Sequence, residues 1–206
     1  LSSVNGKIYI AIKDTIFTWN DSGGCFDFVL KTSLHSRITK IFFDNKNNMW
    51  LGTTKGLFLK KGLLPLYCVI PSRHIYEIFE SSTKEIWVGT RIEGMYKIEK
   101  DNTVTEYLHD PYNPNTISSN QVRAFVEDAD GNICIETFTG LNKYNQVTQK
   151  YEVYTRENLP GSLFHSSVFS LLKDNQGTIW VGTYYGGVSY FNTERNLFSY
   201  YSDNPT

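Results

Sequence analysis

The stretch TIWVGTYYGG, residues 178–187, governs how the rest of the chain is read. A close copy, EIWVGTRIEG, stands at 85–94, and another, NMWLGTTKG, at 48–56. Two weaker copies fill the gaps. NICIETFTGLNKYN at 132–145 puts Cys134 where the others have Trp50, Trp87 and Trp180, and KIYIAIKDTIFTWN at 7–20 puts Tyr9 there. The anchor positions 9, 50, 87, 134 and 180 are separated by 41, 37, 47 and 46 residues. Self-similarity at roughly 40–50 residues is the mark of a propeller blade.

Each copy sits in a larger unit. Upstream lies an apolar segment closed by a polar turn: ITKIFFDNKNN from Ile38, IYEIFESSTKE from Ile75, VRAFVEDADGN from Val122 and VFSLLKDNQGT from Val168. The turns Asp128–Gly131 and Asp174–Gly177 start with Asp, which can bond its own turn backbone, and end with Gly, which accepts positive φ. Downstream comes a turn with Gly56, Gly94, Gly140 or Gly187 in one equivalent slot, where a left-handed residue is expected. A further short aromatic strand follows, as in VTEYL, KYEVYT and LFSYYS. The unit is therefore four short strands, and no segment has a capped helical period.

IWVGT is apolar on both faces. Radial stacking of four-stranded sheets buries both, so the fold class expected is all-β, a β-propeller fragment of about five four-stranded antiparallel blades. Their approximate limits are 1–33, 34–70, 71–109, 118–155 and 164–202. No Val-x-Ala-Ile segment precedes KIYIAI, so the first blade is expected to lack its inner strand. Trp50, Trp87 and Trp180 are expected to pack one blade on the next. The chain stops where a linker like that at 107–122 is starting, which points to a longer array, and uncovered strand edges favour association, including a homodimer.

Composition bounds the function. The formal net charge of −1 over 206 residues, without clustered Lys and Arg, argues against a nucleic-acid groove. No apolar run of about 18 residues provides a membrane segment, and LSSVNGKIYI is not a signal peptide. Cys25, Cys68 and Cys134 fit neither a disulfide framework nor a metal pattern, so three free, mostly buried thiols are expected. His35, His74, His109 and His165 are scattered through loops. Neither a metal site nor a cofactor is expected, and no G-x-S-x-G, H-E-x-x-H, G-x-G-x-x-G or Walker loop occurs. The Asp174–Trp180 turn is one residue longer than a sialidase Asp-box.

The combination VRAFVEDADGNICIETFTGLNKYN plus VFSLLKDNQGTIWVGTYYGGVSYFN, with the linker HDPYNPNTISSNQV, resembles the two-component regulator propeller repeat. Cys134 and Glu136 depart from its Trp and Gly in the fourth unit, and SSTKE replaces its Asp-x-x-Gly turn in the third. The resemblance implies a periplasmic sensor region of a Bacteroides-type hybrid two-component system. In such proteins propellers precede an immunoglobulin-like domain, a membrane helix and a histidine kinase, and the usual stimulus is an oligosaccharide from glycan breakdown. The kinase would lie outside these 206 residues, and this segment would not be an enzyme.

A sugar would meet the loops at one mouth of the propeller. Loops between second and third strands offer Lys55, Arg91, Glu93, Phe138, Tyr184 and Tyr185. The connections before inner strands offer Arg37, Arg73, His74, Asn120, Arg123 and His165. Aromatic faces suit sugar C–H surfaces, and Arg suits a carboxylate or sulfate. The alternatives are a scaffold for protein–protein contact or dimerisation without its own ligand, and a propeller glycosidase or lyase, whose carboxylate pair would be spatial and invisible in sequence.

Overall fold

The structure, a computed structural model, describes residues 2–4, 6–157, 161–184, 186–191 and 198–201. It holds five four-stranded antiparallel sheets in chain order. They are β1 (Ser2–Val4), β2 (Lys7–Ile12), β3 (Thr15–Asn20), β4 (Cys25–Lys31); β5 (Ile38–Phe43), β6 (Met49–Thr53), β7 (Gly56–Lys60), β8 (Tyr67–Pro71); and β9 (Ile75–Glu80), β10 (Ile86–Thr90), β11 (Met95–Ile98), β12 (Val104–Tyr107). The last two are β13 (Val122–Glu127), β14 (Ile133–Thr137), β15 (Gly140–Asn145), β16 (Lys150–Tyr154); and β17 (Val168–Lys173), β18 (Ile179–Thr183), β19 (Val188–Phe191), β20 (Ser199–Tyr201). The inner strands of successive sheets, β5, β9, β13 and β17, lie against one another.

The first sheet differs from expectation, because it has an inner strand. Ser2–Val4 pairs with β2 in the register Ser2↔Tyr9, Ser3↔Ile8, Val4↔Lys7. Pairing uses backbone N–H and C=O groups, which any short extended segment supplies, so the missing Val-x-Ala-Ile pattern did not prevent it.

Every residue of β6, β10 and β14 is buried. Trp50 packs with Ile75, Ile78, Val88 and Tyr96 of the following sheet. Trp87 meets Phe125 at 6.4 Å and Tyr144 at 5.7 Å across the next seam. Trp180 is half-buried, and its described ring partners, Tyr190 and Tyr201, belong to its own sheet. Carboxylates stitch the same seams: Glu80 accepts from the Asn45 amide, and Glu127 from the Ser82 amide and hydroxyl.

The polar turn also positions the indole. Asp44 Oδ1 accepts from the amides of Lys46 and Asn48, while Oδ2 accepts from Trp50 Nε1 at 3.0 Å. Asp174 repeats this with Gln176, Thr178 and Trp180 Nε1 at 2.8 Å. Burial would raise the Asp44 pKa, but bonds from Asn48 and Trp50 more than offset it and hold the carboxyl below its usual range. In the fourth sheet, where Cys134 replaces Trp, Asp128 Oδ2 instead takes Asn132 Nδ2 and the Lys143 ammonium. SSTKE makes the same turn without Asp or Gly. Ser81 Oγ accepts from the Glu85 amide, Lys84 takes φ 67° where Gly131 and Gly177 stand at 79° and 82°, and buried Trp87 Nε1 is left without an acceptor.

The glycine slot after the second strand needs two explanations. Gly94 has φ 71°, and Gly187 φ 70°, as the turn predicts. Gly140 does not take positive φ; there a Cβ would stand 2.7 Å from the Tyr154 carbonyl oxygen, so close strand approach excludes a side chain. The cysteines also correct an expectation. Cys134 is buried, its thiol pushed up to about 12 by burial, whereas Cys25 and Cys68 are exposed because they lie on outer strands.

Replacing Trp87 by Ala should destabilise the chain by about 3–5 kcal/mol in urea unfolding followed by circular dichroism, and Trp180→Ala by clearly less. Ser81→Asp should stabilise by about 1 kcal/mol, by supplying the acceptor that Trp50 and Trp180 already have.

Candidate functional site

The loops after the second strands lie beside the segments that lead into the inner strands. The amide of Thr54 donates to the Arg37 carbonyl, that of Arg91 to His74, that of Phe138 to Gln121 and that of Tyr184 to Ser167. Each bond ties the loop after a second strand to the segment before the inner strand of the same sheet. The Gly94 amide reaches Asn120 of the next connection.

The inner strands add residues that the loop reading missed. In β5, β9, β13 and β17 the register slips by one residue, at Thr39, Tyr76, Arg123 and Phe169. A bulge of this kind re-aims one side chain out of the ladder. Tyr76 and Phe169 had a faint signal: each is the bulky residue directly after the first apolar residue of its inner strand.

At the fourth and fifth sheets these positions converge with the loops. The Arg123 guanidinium carbon lies 5.9 Å from the ring centre of Phe138 and 5.5 Å from that of Phe169. Phe169 lies 6.1 Å from Tyr184. The three rings are 51%, 56% and 58% exposed respectively. Two bulge residues and two loop residues thus make an open aromatic platform around a cation. Among the described residues Arg123 makes no ion pair. Cation–aromatic contact holds a guanidinium without consuming its N–H donors. His165, near the same mouth, accepts from the Ser167 amide through Nδ1 at 3.0 Å. Tyr185 lies outside the described residues.

The remaining candidates group elsewhere. Arg37, Lys55 and Arg91 are exposed, and Glu93 is half-buried. His74 lies 5.2 Å from Tyr76, and its pKa is lowered first by burial and then by the charges of Arg91 and Arg37. Arg73 has a structural role: its Nε donates to Tyr96 Oη at 2.6 Å, and Tyr96 Oη donates to Glu106. A cleft of about 520 Å³ opens at the opposite, turn-bearing end between the second and third sheets, floored by Trp50, Leu59, Ile86 and Ile98. Its rim mixes Lys46, Lys84 and Lys100 with Asp44, Glu80 and Glu99, so it presents no single charge preference. Among the described residues no group of His, Cys, Asp and Glu could hold a metal, and no helix is long and apolar enough to cross a membrane.

Glu136 is the anomaly beneath the platform. It occupies the slot of Gly52, Gly89 and Gly182. At Gly52 and Gly89 a Cβ would stand 2.7 Å from Ile75 and from the Val122 carbonyl oxygen, both on the following inner strand. The slot therefore faces the seam, and Glu136 places a carboxyl there. It is 0% exposed, and neither oxygen has a hydrogen-bond partner. Burial pushes its pKa up to about 8; the charge and backbone amide of Arg123 pull the other way without closing a bond of normal geometry.

The sign of the consequence follows from the two states. Unfolded, Glu136 releases its proton near 4.5; folded, near 8. Between these values the folded chain binds the extra proton, so the stability Glu136 contributes is full below pH 4.5 and is lost as pH rises to about 8, by about 1.4 kcal/mol per unit. Denaturation across this window should show that slope in the wild type, and Glu136→Gln should flatten it.

Comparison with known proteins agrees with this architecture. The two component regulator propeller model matches residues 32–55 and 162–185, each a segment from an inner-strand approach to the loop after the second strand. A histidine kinase of Formosa agariphila is 30% identical over 179 residues, and the match takes in 81% of this chain but only 13% of the kinase. Virginiamycin B lyase from Staphylococcus aureus superposes with a TM-score of 0.73 at 14% identity, over 100% of this chain and 69% of the lyase. The extracellular domain of BT3049 from B. thetaiotaomicron, assigned to a hybrid two-component system, does so with a TM-score of 0.51 at 20% identity, over 93% of this chain and 31% of that one. The structural likenesses concern the fold alone, but the family model falls on the repeating unit itself: the chain carries two component regulator propeller repeats at residues 32–55 and 162–185.

Proposed function

We propose that this chain is the ligand-binding, non-catalytic part of an extracytoplasmic sensor in a two-component system. Its ligand is an oligosaccharide released from a glycan, held on the platform of Arg123, Phe138, Phe169 and Tyr184. The observation that carries this reading is the platform: three exposed rings, two of them against an arginine that makes no ion pair among the described residues, built from two loops and two inner-strand bulges. Rings of this kind stack on the C–H faces of a sugar, and a guanidinium binds its oxygens by paired N–H bonds. Exposed aromatic side chains bring a desolvation gain that an average surface lacks.

The kinase relative supports the two-component setting, and the extracellular neighbour supports a periplasmic position. Ligand binding would act by favouring one arrangement of a dimer over another, since a ligand shifts an equilibrium only by its differential affinity. The phosphotransfer chemistry belongs to chain beyond these 206 residues.

Calorimetric titration with a panel of di- and oligosaccharides tests the reading. Binding is expected, and Phe138→Ala, Phe169→Ala and Arg123→Ala should each weaken it about tenfold or more, as loss of an anchor does. Flat titrations across the panel would point instead to a scaffold for protein contact. Turnover of any of the sugars would place the chain with the propeller glycosidases or lyases.

A further inference from the structure

Arg123 and Glu136 lie on adjacent strands of one sheet, one half-buried beside aromatic rings and the other sealed in the seam behind it. Their arrangement is unusual in what it leaves undone. Arg123 has no ion pair among the described residues, although it is the one charge acting on Glu136. Glu136 has no hydrogen bond on either oxygen, although it is fully buried. A buried, unpaired carboxylate is too costly to persist as a charge, so the group holds its proton instead. The neutral acid leaves the guanidinium uncompensated, and the platform keeps a full positive charge.

We propose that this charge is kept for the ligand: the platform selects a sugar ring bearing a carboxylate or sulfate, and Glu136 is an internal acid that competes with that group for Arg123 once it ionises. The proposal rests on the platform being the binding site, as argued above. An anionic ligand pairing with Arg123 disfavours the second negative charge behind it, so Glu136 takes up or retains a proton on binding. Ionised Glu136 does the reverse and weakens the anion. Neutral sugars would be indifferent to its state.

The surroundings of Glu136 leave few other groups to account for such a coupling. Across the strand pairs it faces Ala124 on β13 and Leu141 on β15. On β17, Lys173 is the titratable residue, and its ammonium is bonded to the carbonyls of Glu127 and Asp128 at the turn-bearing end. Asp128 and Lys143 pair with each other, also at that end. Among the described residues of the neighbouring mouth His165 and Tyr184 are titratable, and His165 Nδ1 accepts from the Ser167 amide.

The test uses digalacturonate and 6′-sulfated lactose, each beside its neutral counterpart, galactobiose and lactose, titrated into the 206-residue chain at pH 6.5 and pH 9. At least one acidic probe should bind tighter than its neutral counterpart, and its affinity should fall about tenfold between the two pH values, the size of a one-unit pKa coupling. Glu136→Gln should keep the low-pH affinity at pH 9. Should that variant fail to fold, titrations of the wild type at pH 8 in buffers of different ionisation enthalpy should show proton uptake with the acidic probe and none with the neutral one. The two acidic probes separate carboxylate from sulfate recognition. Equal binding of acidic and neutral sugars would overturn this proposal and leave the platform standing. Acid preference without pH dependence or proton uptake would remove Glu136 from it. Binding of none of the four would take down both this inference and the sugar-binding reading beneath it.

Discussion

The burial of each second strand on both its faces is the constraint on which the molecule depends. β6, β10 and β14 have no side chain left to solvent, so none of these sheets can exist without a neighbour. The hydrophobic contribution is made at the seams. Trp87 lies against Phe125 and Tyr144 of the next sheet and is fully buried there. The polar turn serves the same seam from its end, since Asp44 and Asp174 hold both the turn backbone and the indole six residues later. One carboxylate thus couples local turn formation to the orientation of the residue that packs the sheets.

A seam so tightly filled tolerates little else, which is why the second-strand slot is Gly in three sheets. The fourth sheet breaks the rule at two positions on one strand. Cys134 gives up the volume of the Trp, and Asp128, with no indole to hold, pairs with Lys143. Glu136 then occupies space that elsewhere would collide with the following inner strand. The smaller Cys and the intruding Glu are on the same face of β14, two residues apart, so the seam is altered as a unit. Above it stands the platform, so this departure from regular packing lies behind the exposed rings that flank Arg123.

The platform itself depends on backbone geometry. Arg123 and Phe169 occupy equivalent places in successive inner strands, and both are the residue at which the ladder slips. Without the bulge, strand alternation would place each on one face of its sheet. The slip brings them instead to the loops, where Phe138 and Tyr184 meet them.

The repeat, the strands and their order were legible in the sequence, because a 40- to 50-residue period and two-faced apolar strands admit few architectures. Arg123, Phe138 and Tyr184 were legible as loop residues, and Glu136 as a breach of the Gly slot. Phe169 and Tyr76 left only a faint signal, a bulky residue directly after the first apolar one, since their role comes from a bulge in the backbone ladder. Arg73 precedes an inner strand, where sequence put it, but Tyr96 and Glu106, more than twenty residues on, engage its guanidinium, which the sequence did not show. The inner strand of the first sheet escaped because backbone pairing needs no side-chain pattern. Periodic burial is a property of neighbours along the chain, so the sequence by itself determined the blades. Which side chains meet, and which buried acid lies behind which cation, depends on contacts between sheets, and only the tertiary structure decided it.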